Sequence, residues 1–214
     1  MFKEYNSSLN RMIFNDPSIK QSICTEAKVG ISKHLLLSGS NGVGKSLIAG
    51  LLVTAANPNA NPAECLLDGS DLCIEEIRYA LNLLLVTSGS PAVLVIDEVD
   101  RMKTQELNML QKLIDGFANK NVNSCKFILT TNRPVALSNA LRSRLKSYPI
   151  TGLTGLQCLP MVTSEFKKYG VLLTDCEITE HLTTCYEPNA TLLDMRNVEE
   201  MVKEVVFSMA NVII

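Results

Sequence analysis

No run of apolar residues in this sequence approaches the roughly 18 needed to cross a bilayer, so a membrane span is excluded from the expected architecture. The first ten residues, Met1 to Asn10, are polar and lack the apolar core of a secretory signal. Cysteine pairs at CxxC spacing are absent. The seven cysteines are scattered and odd in number, and the two histidines, His34 and His181, stand far apart, which argues against a disulfide framework or a zinc site. Excess charge is missing too: the formal net charge is −2, so composition supplies no bulk attraction to nucleic acid or anionic membrane. No internal repeat or low-complexity segment is visible. These absences predict reduced thiols and a cytoplasmic protein with no membrane partner.

What is present is a well-stocked core. Hydrophobic residues make up 46% of the 214 and charged residues 20%, a balance that folds, in a length that accommodates one ordinary domain and a small second one. Short apolar runs at His34–Leu37, Cys65–Leu67, Val93–Ile96 and Phe127–Leu129 suit buried parallel strands. Between them Lys45–Ala55, Glu75–Val86 and Lys103–Phe117 read as helices; in the last, Leu107, Leu110, Leu113, Ile114 and Phe117 recur at helical spacing. The segments 57–62 (NPNANP) and 88–91 (SGSP) punctuate the alternation as loops. The pattern predicts an α/β fold with a parallel sheet flanked by helices. After a last short strand near Tyr148 the character becomes helical, with helices expected at Leu156–Lys168, Glu177–Cys185 and Leu193–Met209. The expected division is therefore an α/β core over residues 1–150 and a small all-helical domain over 151–214.

Gly39-Ser40-Asn41-Gly42-Val43-Gly44-Lys45-Ser46 fits GxxxxGK[ST] between an apolar strand and a helix, the placement a phosphate-binding loop requires. Such glycines let backbone N–H groups curl round phosphate oxygens. Lys45 would reach the β and γ phosphates of ATP, and the Ser46 hydroxyl would ligate Mg²⁺. Val93-Leu94-Val95-Ile96-Asp97-Glu98 ends an apolar strand in two carboxylates, at the sheet edge where ligands bind. Asp97 is expected to hold Mg²⁺, and Glu98 to orient and deprotonate the attacking water.

Three further segments, holding four candidate residues, each leave two readings open. Asn132, ending the strand Phe127-Ile128-Leu129-Thr130-Thr131, either positions water against the γ-phosphate or shapes the turn into Arg133-Pro134. Arg142 and Arg144, in Leu141-Arg142-Ser143-Arg144, are either phosphate-reading guanidinium groups or a solvated pair bonded to acidic neighbours. Arg196, in Asp194-Met195-Arg196, either reaches back to bound phosphates or stands exposed beside a capping aspartate.

Taken in order, GSNGVGKS, VLVIDEVD, FILTTN, ALRSR and LDMR resemble the motifs of an AAA+ ATPase, and within that family the clamp-loader and related replication-factor branch. The resemblance spans nearly the whole chain. It implies an AAA+ core with a helical lid, ATP and Mg²⁺ as ligands, and a site completed by a second copy or a related AAA+ subunit. It implies that Asn132 is a first sensor, that Arg144 is a finger acting in trans, and that Arg196 is a second sensor in the lid. It also places Asn15–Ile19 near the adenine. Leu145 stands where that branch carries the cysteine of an SRC motif, and Leu193 where it carries the glycine of GDMR. Members of that branch usually continue into a helical collar, whereas this sequence stops at Ile214, so assembly through the ATPase modules, or upon a partner or DNA, is expected.

Two functions compete on these features. One is an ATP-hydrolysing machine that remodels a DNA-associated complex, with a clamp or a helicase as client; the other is an ATP-gated binding module that hydrolyses slowly as a timer. An unfoldase is disfavoured, because no aromatic-hydrophobic-glycine pore loop lies between Cys65 and Ile96. Arg101, Lys103 and Lys112 are either a DNA-tracking set or the solvated face of a helix.

Overall fold

The computed structural model describes residues 9–58, 60–87, 92–119, 125–186 and 190–212. The expected loop at 88–91, Asn59 of the loop at 57–62, and the apolar end Ile213-Ile214 lie outside the described residues. The chain divides into two compact units. One comprises Gln21–Gly39 and Lys45–Pro149; the other comprises the described parts of Met1–Lys20, Ser40–Gly44 and Ile150–Ile214.

The first unit is built on five parallel strands in the order β2-β3-β4-β1-β5: β1 (His34–Ser38), β2 (Leu66–Asp68), β3 (Ala92–Asp97), β4 (Cys125–Thr131) and β5 (Leu145–Pro149). The middles of the three central strands are apolar because both faces are covered: Leu35, Leu36, Leu37, Leu94, Ile96, Phe127 and Leu129 are all essentially inaccessible. The helices α2 (Lys45–Ala56), α3 (Ile74–Thr87) and α4 (Thr104–Asn119) follow β1, β2 and β3 as crossovers. The run Cys65–Leu67 is not the buried strand its apolarity suggests. It pairs on one side only, with β3, and Leu66 is 42% exposed, as an edge strand permits.

Helix α1 (Pro17–Val29) carries a start signal that strand-and-motif reading passes over: Asp16 accepts from the Ser18 amide at 2.8 Å, with Pro17 in the first helical position. Its buried Glu26 is the hub of a polar cluster, accepting from Lys146 Nζ at 2.6 Å, Tyr148 Oη at 3.1 Å and the Ser32 amide at 3.0 Å. Burial pushes the Glu26 carboxyl up, but these donors outweigh it and hold it below the usual range. A short helix, α5 (Asn139–Arg142), is capped by Ser138, which accepts from the Leu141 amide at 3.1 Å.

The second unit has its own core, in which Phe166, Val162, Ile178, Leu182, Val198 and Val202 are buried. Its helices are α6 (Gly155–Lys168), α7 (Asp175–Thr183) and α8 (Met195–Val212). The first two begin one and two residues earlier than hydrophobic spacing predicts, because Thr154 with Gln157 and Thr174 with Glu177 form reciprocal capping boxes. Leu193 is not helical. Its amide donates to the Leu153 carbonyl at 2.8 Å in an isolated antiparallel bridge, and α8 starts only at Met195. Within the apolar stretch Val205-Val206-Phe207, Val205 joins the core whereas Phe207 is 71% exposed.

Phe127 is fully buried in β4 with ring contacts to His34 and Phe117, at centroid distances of 5.4 and 6.1 Å. Phe127→Ala is expected to cost about 3–5 kcal/mol in chemical denaturation, whereas the same truncation at exposed Val135 stays within about 0.5 kcal/mol. His34 gives a second test. Its neutral ring accepts from the Phe127 amide at 3.1 Å, and burial lowers its pKa from 6.5 to about 4. The unfolded chain therefore takes up this proton first: stability is whole above about pH 6.5 and falls as pH drops toward about 4. The slope of unfolding free energy over that window should be shallower in His34→Leu.

Candidate functional site

Parallel pairing brings the carboxyl ends of β1, β3 and β4 to one edge of the sheet. Ser38 stands opposite Thr131, and Ile96 opposite Leu129, so the residues that follow each strand emerge side by side. The Asp97 carboxylate is the meeting point. Ser46, in the first turn of α2, donates to it at 2.8 and 3.0 Å, and the Thr130 hydroxyl of β4 donates to it as well. A hydroxyl and a carboxylate already within 3.0 Å of each other are hard oxygen donors suited to Mg²⁺, which needs only one or two protein ligands beside phosphate and water. Among the described residues no group of three His, Cys, Asp or Glu gathers elsewhere to hold a metal.

Lys45 is buried, and its ammonium donates to the Gly39 carbonyl at 3.0 Å and to Asn132 Oδ1 at 2.7 Å. The lysine of the glycine loop and the asparagine that ends β4 are thus in direct contact, although 87 residues separate them. Asn132 is also tied through its backbone, which favours neither of its two readings over the other. Its amide donates to Asp100 at 3.3 Å, as do the Thr131 hydroxyl at 2.7 Å and Arg133 Nε at 3.0 Å. The Asp100 side chain is only 3% exposed. Burial pushes its carboxyl up, yet the donors from Thr131, Arg133 and the Asn132 amide prevail and hold it below the usual aspartate range. Sequence reasoning missed this residue. The signal was its position three after Asp97, where it can reach across to the end of β4.

Glu98 adopts a left-handed backbone, φ 52° and ψ 45°, unusual for a side-chain-bearing residue and common where a site holds a group at a fixed angle. Its amide donates to the Thr130 hydroxyl at 3.0 Å, and its carboxylate pairs with Arg101 Nε at 2.7 Å. Arg101 also reaches Ser70 at 3.3 Å, and Arg101, Lys103 and Lys112 are all exposed. Arg144 pairs with Asp115 of α4, and Arg142 donates to Asn139.

Within the second unit, Ser40–Gly44 forms the middle of the glycine loop. Gly42 has φ +71° and lies against Asp194, so that a Cβ there would overlap the carboxylate; Gly44 has φ +91°. The Gly42 carbonyl accepts from the Met195 amide at 3.2 Å. Asp194 Oδ1 accepts from the Arg196 amide at 2.8 Å, and the Arg196 side chain is exposed. Asn15 accepts from Gln157 at 3.1 Å. Ser40, Asn41 and Val43 complete the loop. All seven cysteines carry free thiols, and among the described residues no helix is long and apolar enough to cross a membrane.

Among solved structures the chain is similar to RuvB of Thermotoga maritima, described as a Holliday junction branch migration motor, with 17% identity and a TM-score of 0.62, covering 93% of this chain and 72% of that one. Two point-substituted forms of the same protein give TM-scores of 0.65 and 0.62 at 17% and 18% identity, with the same coverage. No curated protein matches. The fold is that of an AAA+ P-loop nucleoside triphosphatase, a five-stranded parallel sheet flanked by helices. The model of the ATPase family associated with various cellular activities matches residues 35–150, more than half of the chain, and the protein belongs to that AAA family.

Proposed function

We propose that this protein binds Mg·ATP and hydrolyses it at interfaces between copies of itself or with related AAA+ subunits, using the cycle to assemble or remodel a DNA replication or recombination complex. The observation that carries the reading is the convergence at one sheet edge of Lys45 with Asn132 and of Ser46 with Asp97. That set supplies a cation for the β and γ phosphates, a polar group beside the γ-phosphate, and two oxygen ligands for Mg²⁺. Gly39 to Ser46 wrap the phosphates, Glu98 orients and deprotonates water, Arg144 enters the neighbouring site, and Arg196 of a lid formed by residues 151–214 senses the nucleotide. The left-handed backbone of Glu98 supports its part. The DNA client, reached as a clamp or helicase loader would reach it, follows from the clamp-loader-like motifs and agrees with the fold shared with a branch migration motor. The compartment in this reading is the cytoplasm.

One observation favours a second reading, an ATP-gated partner-binding module with slow turnover. Glu98 is paired with Arg101 in the single chain, so its carboxylate is held by a guanidinium and turns toward water only when that pair opens. The two readings part on what accelerates turnover.

ATPase rate measured against protein concentration, with and without primed DNA, tests the proposal. The natural chain should show a rate that rises steeply with concentration and again with DNA. Lys45→Ala should abolish it, and Arg144→Ala should lower it by a factor on the order of 10³ to 10⁵ while ATP still binds. A flat, low rate indifferent to DNA and to Arg144 would favour the gated module.

A further inference from the structure

Arg144 lies in the turn between α5 and β5, and its backbone is pinned on both sides. Leu141 and Leu145 are buried, the Arg144 amide donates to the Leu141 carbonyl at 3.1 Å, and Leu145 pairs with His34 of β1. The side chain is pinned as well. Asp115, near the end of α4, takes the guanidinium side-on: Nε donates to Oδ1, and Nη2 donates to Oδ2 at 2.9 Å. Nη1 donates to the Ala140 carbonyl and faces the Ser143 hydroxyl only at 3.5 Å. A guanidinium has five N–H donors in a fixed plane. Four are engaged here, the one to Ser143 only at the long limit, which leaves one on Nη2. Both side chains of the pair are about a third exposed, 33% and 36%, so as an ion pair it is screened and adds little stability. What a two-point grip does add is a fixed position and plane. Arg142 has no such grip: its Nη2 donates to Asn139 one turn back, and its Nε is buried without a hydrogen-bond partner among the described residues.

We propose that Asp115 is a positioning residue for Arg144, holding the guanidinium side-on so that its remaining Nη2 N–H, together with the Nη1 N–H that Ser143 holds only at long range, is presented to a phosphate of the nucleotide bound by a second copy of the chain. The inference rests on the reading of Arg144 as a group that acts in trans. It assigns to α4 a part in the neighbour's chemistry and none in its own subunit's. Orientation fixed before the encounter lowers the cost of placing a charge against the transferring phosphoryl, and a displacement of about 1 Å can cost about a hundredfold in rate.

Mixed assemblies read this directionally. A Lys45→Ala chain keeps the finger but has lost the phosphate lysine, and an Arg144→Ala chain keeps its glycine loop but has lost the finger. Mixed, the second should hydrolyse ATP with the arginine of the first. Adding Asp115→Ala to the Lys45→Ala chain should lower turnover of the mixture by about tenfold to a hundredfold, with KM for ATP unchanged. Adding it to the Arg144→Ala chain should change nothing. Asp115→Asn, which preserves shape, should act in the same direction, and Asp115→Glu should restore part of the rate. Equal loss from either chain, or loss from neither, would overturn the positioning role while leaving the trans arginine standing. A mixture with no activity above that of the separate chains would instead remove the trans reading and this inference with it.

Discussion

Parallel pairing of β1, β3 and β4 obliges three chain segments, far apart in sequence, to end on the same edge of one sheet. The obligation is steric and directional: parallel strands need crossover helices, and these return each strand to the same starting side. With Leu37 opposite Thr130 and Ile96 opposite Leu129, the register fixes which residues emerge together. A one-residue slip of β4 would turn Thr130 from the Asp97 side to the opposite face and break the contact between Lys45 and Asn132. The apolar interior of these strands therefore does more than stabilise. It sets the register on which every polar contact of the site depends.

At that edge the molecule holds charges that are expensive to bury, and each one described is satisfied locally. The Lys45 ammonium has a carbonyl and an amide oxygen; the Asp97 carboxylate has two hydroxyl donors; Asp100 has three donors from the last residue of β4 and the turn after it. In a low-dielectric setting such a network is stiff, because loss of any member leaves another charge unpaired. Under the proposed function, stiffness suits groups that would meet a developing phosphoryl charge without reorganising. Glu98 and Arg101 differ, since this pair sits nearer solvent and can exchange partners more cheaply.

Much of this was legible in the sequence, for reasons that can be named. Buried parallel strands must be apolar through their middles, so β1, β3 and β4 are readable as strands, and a glycine loop between strand and helix has a pattern narrow enough to read directly. Edge and cap features were harder to read. Apolar Cys65-Leu66-Leu67 looked like a core strand, but hydropathy does not say whether a strand has one neighbour or two. The starts of α6 and α7 depended on capping boxes that hydrophobic periodicity does not register, and Leu193 was drawn into a bridge with Leu153. Partners across long separations were not legible at all: Asp100 with Asn132, Asp115 with Arg144 and Glu26 with Lys146 and Tyr148 each follow from how helices and turns pack on the sheet, which no local pattern encodes.

The central claim is that the edge joining Ser46 and Asp97 receives Mg²⁺ together with a nucleoside triphosphate. Equilibrium binding of ATP by the natural chain and by Asp97→Asn, each with magnesium and with a chelator, tests it most directly. The account predicts that magnesium tightens binding to the natural chain and that Asp97→Asn, still folded, loses most of that magnesium dependence. ATP binding that is absent, or that responds to magnesium equally in both chains, would contradict it.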